Sequence, residues 1–426
     1  MIDVKKILEN PEAIKAALAK KLWDFDPKPI QELAKKRLNL LKKVEANKAE
    51  QNALSKSVPE VKKNGGDVQA IFAKVKALAA ENKEGEEELK RIEDALKAEL
   101  EVLPNLPDDD LVAGGKENNR PIYKFGDPNA LKFKPKDHVE LCKSLGLIDY
   151  DRAAKISGNG TWVYTNLGAR LEWALLNYFI ETHLGDGYEM ILPPHILNYQ
   201  SGYTAGQFPK FEEDVFWLEG VEPRKFILPT AETALVNLHR DEILKEEDLP
   251  RKYFAYTPCY RKEAGSYRTE ERGMIRGYQF NKVEMVQYTT EEGSDAAFEE
   301  MVKKAQALVE GLGLTYQLDK LAAGDCSHSM ARTYDIEIWI PSMGIYKEVS
   351  SVSNARDYQA RRGSIRYRDK DGKMHFCHTL NGSGLATSRV FPALVEQCQQ
   401  EDGSMIIPEV LRKYLGGMEV IKPIKK

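Results

Sequence analysis

No apolar run in this chain approaches the roughly 20 consecutive residues that a membrane span requires. Cysteine is scarce: the five, at positions 142, 259, 326, 377 and 398, are scattered and include no CxxC pair. That excludes a disulfide framework or a four-cysteine zinc site and fits a reducing compartment. Charge of one sign is also lacking. Charged residues make up 30% of the chain, yet the net charge is only −4, so any nucleic-acid binding must rest on a local basic surface. There is no Walker A sequence and no strand–GxGxxG–helix unit, so bound phosphates would have to be held by side chains. The opening MIDVKKILENPEAIKAALAKK carries acids on an amphipathic pattern and reads as neither a signal nor a transit peptide. HFCH at His375–His378 sets three residues of metal-ligand type within four positions, but one strand cannot easily converge them, so it reads as structural.

What is present begins with length. At 426 residues the chain is long enough for two domains, each with its own core. From Ile30 a 3-4 repeat runs through positions 30, 33, 37, 40, 44, 47, 51, 54, 58 and 61, apolar at seven of the ten. Asn64-Gly65-Gly66 breaks it as a turn does, and a second repeat follows from Val68 to Leu103, apolar at eight of eleven seam positions. Two heptad runs around one tight turn predict an antiparallel coiled-coil hairpin. Folding it about the turn sets Asn47 across from Asn82, a polar pair that would fix the register. Residues 31–80 hold 11 Lys and Arg against 5 Asp and Glu, whereas residues 81–100 hold 4 against 8. A basic projecting arm suits a phosphate backbone; an ordinary solvated coiled coil fits the same counts. Prolines, aspartates and a Gly pair in LPNLPDDDLVAGGKENNRP then mark a connecting segment.

The densest stretch runs from Tyr260 to Glu284. A strand-like run ends in Arg261, a polar loop carries Glu263, Gly265, Arg268, Arg272 and Gly273, and IRGYQFNKVEMV alternates back, which predicts an antiparallel pair. Phe280, Lys282 and Glu284 share one parity and therefore one face. With Arg261 across the hairpin, that face suits a planar base, a phosphate and a small polar group; a charged surface hairpin is the plain alternative. Upstream, LGARLEWALLNYFIETH (Leu167 to His183) has the spacing of a buried helix, and GYEMILPPHILN reads as a strand closing on Pro193-Pro194. Thr230-Ala231-Glu232 stands where an apolar strand turns helical, and Thr230 could simply be an N-cap. YDIEIWIP alternates with acids and reads as an edge or surface-lining strand. KEVSS sets Glu348 and Ser351 three apart, oxygen donors of the kind Mg2+ accepts, although a regular strand points them to opposite faces unless a bulge intervenes. Gly382 and Gly384 permit a close backbone approach before a helix, in which Pro392 predicts a kink after Arg389.

Arg261 and Glu263 in a hairpin, followed by the pattern RGxxRxxQFxKVE, resemble motif 2 of the class II aminoacyl-tRNA synthetases, and the AGSY and QFNKVEM wording is similar to the seryl-tRNA synthetases, bacterial type. The helix, strand and Pro-Pro arrangement resembles motif 1, and GLATSR resembles motif 3. The resemblance implies an α+β fold: an N-terminal antiparallel coiled-coil arm over residues 1–103, a linker over 104–121, and a catalytic domain over 122–426 whose mostly antiparallel sheet is flanked by helices. It implies ATP-dependent activation of L-serine and transfer to tRNA(Ser), and to tRNA(Sec), with Mg2+, in a cytoplasmic homodimer with no membrane association. The implied serine contacts are Thr230, Ala231, Glu232, Arg261, Glu284 and Ser383. The implied ATP contacts are Arg261, Lys262, Glu263, Gly277, Phe280, Glu348, Val349, Ser350, Ser351 and Arg389, with Glu348 and Ser351 on the metal and Arg261 and Arg389 as the catalytic pair. The sequence departs from the family where Ala113 replaces a frequent proline, where Lys262 replaces a small polar residue, and at Pro392. Two other functions stay open: loading an amino acid onto a carrier protein, whose enzymes lack the arm, and a non-catalytic coiled-coil protein on a synthetase scaffold.

Overall fold

The computed structural model describes residues 1–263 and 273–424; Gly265, Arg268 and Arg272 of the hairpin loop lie outside the described residues. The chain forms two units. One comprises Met1, Lys20–Leu22 and Pro104–Lys426, and the other Ile2–Ala19 and Trp23–Leu103.

The smaller unit is dominated by α1 (Lys28–Lys63) and α2 (Val68–Glu101). Asn64 caps α1, Gly65 turns the chain at a positive φ of 71°, and Asp67 caps α2 by accepting from the backbone of Gln69 and Ala70. The apolar seam is buried at Ile30, Val44, Leu78, Ile92, Leu96 and Leu100. Ion pairs cross between the helices at Arg37–Glu93 (2.7 Å), Lys48–Glu86 (2.6 Å) and Lys74–Glu50 (2.5 Å). All are exposed, so the seam supplies most of the stability. The expected asparagine pair takes a different form. Asn47 donates to Glu81 and Asn82 to Gln51, each at 3.3 Å, because long neighbours on the facing helix reach the amides first.

The larger unit is built on an eight-stranded sheet. Its strands in chain order are β1 (Arg120–Phe125), β2 (Glu189–Met190), β3 (Arg251–Tyr260), β4 (Gln279–Thr289), β5 (Tyr316–Lys320), β6 (Arg332–Ile340), β7 (Ile345–Arg356) and β8 (His378–Ala386). The spatial order is β1-β5-β6-β7-β8-β4-β3-β2, antiparallel throughout except for the β2–β3 pair. Helices α3 (Leu167–Gly185), α4 (Ser294–Gly311) and α5 (Thr387–Gln397) share one apolar core with the sheet. Leu175, Phe179, Phe298, Met301, Val390 and Leu394 meet Val283, Met285, Ile336, Ile338 and Val352 there. The residues of opposite parity on β4, β6 and β7 face the other side and are mostly polar.

Three expectations change here. The strand after α3 shrinks to Glu189–Met190, since Pro193-Pro194 cannot donate to a ladder; Ile196–Asn198 pairs elsewhere. β6 is not an edge: it lies third in the sheet, and its acids belong to the sheet's polar face. α5 runs unbroken through Pro392, and Arg389 lies in its first turn rather than before it. Gly382 and Gly384 do permit a close approach, which helix side chains make: a Cβ would meet Met301 at 2.9 Å and His183 at 2.1 Å respectively. Among the described residues no helix is long and apolar enough to cross a membrane.

Asn82 leaves its side-chain oxygen buried without a partner. Asn82→Leu should therefore strengthen the helix pair by about 1–2 kcal/mol, read in the full chain as slower amide exchange across α1 and α2.

Candidate active site

A cleft of about 530 Å³ opens on the polar face of the sheet. Strand alternation builds its floor: Phe280, Lys282 and Glu284 all line it, while Val283 and Met285 enter the core behind. Arg261 continues the β3–β4 ladder by donating its backbone N–H to Tyr278. Its guanidinium lies 5.2 Å from the Phe280 ring centroid and donates to the Pro229 carbonyl at 3.3 Å. A fixed cation beside an aromatic plate can bind a phosphate next to a stacked base.

One end of the cleft is made of buried ionisable groups. Lys282 donates to the Thr230 hydroxyl at 2.7 Å and pairs with Glu284 at 2.7 Å. Glu284 also accepts from Asn381 and from the Ser383 hydroxyl, each at 3.2 Å. Glu232 accepts from Gln359 at 2.8 Å, and burial, then the nearby Glu284, push its pKa up to about 7. Thr230 stands one residue before the N-cap position, which Ala231 occupies. Ala231 precedes the short helix Glu232–Leu235, and the Thr230 hydroxyl accepts from the Lys282 ammonium at 2.7 Å and, more weakly, from the Glu232 backbone N–H at 3.4 Å. Carboxylates facing a small space, one of them reluctant to ionise, suit a ligand carrying an ammonium and a hydroxyl.

At the other end, β7 carries the bulge that its sequence demands. Asp335 pairs with Ser351, Ile336 with Ser350 and Glu337 with Glu348, so Val349 is the extra residue. The insertion returns Glu348 and Ser351 to one side, and both line the cleft. Burial works against ionisation of Glu348, yet Arg389 and Arg261 prevail and hold its carboxyl below the usual range. Arg389 donates to the Glu348 carbonyl at 2.7 Å and its carboxylate at 3.3 Å. Among the described residues no three His, Cys, Asp or Glu side chains converge on a metal site. An ionised carboxylate and a hydroxyl beside a phosphate-sized space are nevertheless a fitting donor set for Mg2+, which keeps waters and phosphates as its remaining ligands.

Of the residues singled out from sequence, Thr230, Glu232, Arg261, Glu263, Gly277, Phe280, Glu284, Glu348, Ser351, Ser383 and Arg389 line this one cleft. Ala231 and Val349 are buried in apolar clusters, and the Ser350 hydroxyl donates to the Ser383 carbonyl at 2.6 Å. Lys262 is held by its backbone, which donates to Asp214 at 3.0 Å. These four side chains are not among those lining the cleft. Gly277 is required for packing: a Cβ would lie 2.3 Å from Trp162. Sequence reasoning missed Arg276, which pairs with Glu263 at 2.6 Å, and Asn381 and Gln359, which orient the two buried acids. Arg276 had a signal, lying in the same hairpin; the two amides had none.

Residues 216–398 match the tRNA synthetase class II core domain (G, H, P, S and T), and residues 1–107 match the seryl-tRNA synthetase N-terminal domain. A serine–tRNA ligase 2 of Clostridium acetobutylicum is 58% identical over 422 residues, 98% of this chain and 99% of that one. The chain belongs to the seryl-tRNA synthetase family. A serine–tRNA ligase of Thermodesulfovibrio yellowstonii is 43% identical over 99% of this chain and 100% of its own length. Among solved structures, the seryl-tRNA synthetase from Pyrococcus horikoshii complexed with ATP shares 32% identity and a TM-score of 0.92, with 100% of both chains covered. Membership of this family fits a cleft with a cation-and-aromatic floor and two differently charged ends.

Glu232 gives a pH signature. Its folded pKa of about 7 lies above that of an unfolded glutamate, so the native state binds the extra proton between those values and loses stability as pH rises through that window. Glu232→Gln should stabilise the ligand-free protein at pH 8 by on the order of 2 kcal/mol and leave it unchanged near pH 4, measured by denaturant unfolding.

Proposed function

We propose that the chain activates L-serine with ATP and transfers the seryl group to tRNA(Ser), and to tRNA(Sec). The observation that carries this reading is the convergence of Arg261, Phe280, Glu284, Ser383, Glu348 and Arg389 on one cleft. Serine lies at the Thr230–Glu232 end, its ammonium against Glu232 and Thr230, its hydroxyl against Glu284 and Ser383. A lost hydroxyl would leave those buried polar groups unpaired, which disfavours alanine. Adenine stacks on Phe280, and Arg261 spans the serine carboxylate and the α-phosphate.

The first step forms a bond between a serine carboxylate oxygen and the α-phosphorus and breaks the bond from that phosphorus to the bridging oxygen of the β-phosphate. Seryl-adenylate and pyrophosphate result. The attacking carboxylate is already a nucleophile, so alignment and charge neutralisation by Arg261 and Arg389 suffice without a protein base. Glu348 and Ser351 would hold Mg2+, which when bound supplies further neutralisation of the phosphates. In the second step the terminal ribose hydroxyl of the tRNA attacks the seryl carbonyl, gives up its proton, and AMP leaves.

Residues 1–103 serve as the tRNA-binding arm, 104–121 as the linker and 122–426 as the catalytic domain. Basic residues on the outgoing helix support backbone contact with tRNA. The family relationship supports a cytoplasmic enzyme and a homodimer, as do the exposed apolar side chains of Trp173, Leu192 and Ile196 around the motif 1 segment. The arm disfavours a carrier-protein ligase, and an intact cleft disfavours a non-catalytic scaffold.

Serine-dependent ATP–pyrophosphate exchange is the test. Exchange is expected with serine and not with alanine or threonine, and Arg261→Ala should lower it by about 10²-fold or more while tRNA binding is retained. Absence of exchange with any amino acid would defeat the proposal. Sedimentation should give a dimer at micromolar concentration; Trp173→Glu with Ile196→Glu should shift it to monomer.

A further inference from the structure

Before the cleft's amino-acid end can bind anything, its wall must be held in place. Ser327, Ser329 and Met330 line the cleft on a loop. Four successive carbonyls of that loop are taken by two residues far away in sequence. The Lys21 ammonium donates to Ser327 at 3.0 Å, to Met330 at 2.8 Å and, at 3.5 Å, to His328. The Asn105 backbone N–H donates to His328 at 2.8 Å, and its side-chain amide donates to Ser329 at 3.0 Å and to Ala355 at 2.8 Å.

Both side chains are more than nine-tenths buried, Lys21 at 9% and Asn105 at 6% exposure. Among the described residues Lys21 pairs with no carboxylate, so converging carbonyl dipoles alone stabilise a buried cation. A leucine or methionine would fill that space without the desolvation cost. The ammonium gathers carbonyls that an apolar side chain could not. The loop it gathers is pressed against the next segment of the wall: a Cβ on Gly206 would lie 2.5 Å from that of Ser329. That segment continues to the amino-acid end, since Gln207 accepts from Thr233 at 3.0 Å and Gln359 joins the Ala205 carbonyl to Glu232.

We propose that Lys21 and Asn105 are positioning residues for the amino-acid pocket. They seat Ser327–Met330 against Gly206 and thereby set the width of the space facing Thr230 and Glu232. Neither touches the ligand. The assignment rests on the reading that serine occupies that end.

The test uses full-length Lys21→Met and Asn105→Ala, the second keeping the fold testable if the first fails to fold. Pyrophosphate exchange should show the KM for serine raised about tenfold or more with the KM for ATP within about twofold, and hydrogen exchange of residues 327–331 should quicken. Parallel changes in both KM values, or no change in either, would overturn the proposal. If the wild type shows no serine-dependent exchange, the functional reading falls and the anchoring is judged by hydrogen exchange alone. Unchanged protection at 327–331 in Asn105→Ala would then overturn it.

Discussion

Two buried carboxylates cannot share a small pocket unless something answers their charge, and in this cleft Lys282 does so from 2.7 Å. It neutralises Glu284 and donates to the Thr230 hydroxyl, and among the described residues Glu232 forms no ion pair of its own. Glu232 is thus the acid of this pocket whose charge is left least answered, the place at which the proposed reading sets the ammonium of serine. At the other end the balance is reversed, with Arg261 and Arg389 in excess over Glu348, as an incoming polyphosphate requires. An aminoacyl-adenylate, with ammonium at one end and phosphate at the other, complements both imbalances at once.

This distribution is affordable because the sheet separates its two faces so sharply. α3, α4 and α5 cover one side with a continuous apolar core, so every polar side chain of opposite parity is collected on the other. The bulge at Val349 is the one departure from alternation that the chemistry needs, and it costs a single unpaired ladder position. Elsewhere the buried polar groups are tied by amides, with Gln359 and Asn381 fixing the orientation of Glu232 and Glu284.

Much of this was legible in the sequence, because it follows from short-range periodicity. The helix pair, the hairpin and the common face of Phe280, Lys282 and Glu284 are all consequences of periods of 3.5 and 2. The need for a bulge between Glu348 and Ser351 was legible for the same reason. What was not legible depends on partners distant along the chain. That Gly277 is demanded by Trp162, or that Asn47 meets Glu81 rather than Asn82, cannot be read from local spacing. β6 misled as to its place: alternation with acids is the pattern of an edge or surface-lining strand, and here the strand lies inside the sheet with Asp335 buried.

The course of the chain between its two units has an evolutionary meaning. The helical unit comprises Ile2–Ala19 and Trp23–Leu103, and most of its second stretch is the hairpin of α1 and α2. Matched insertions or deletions in α1 and α2 would lengthen or shorten that hairpin without disturbing a residue of the catalytic sheet. Its length can therefore drift while the sheet stays under separate selection.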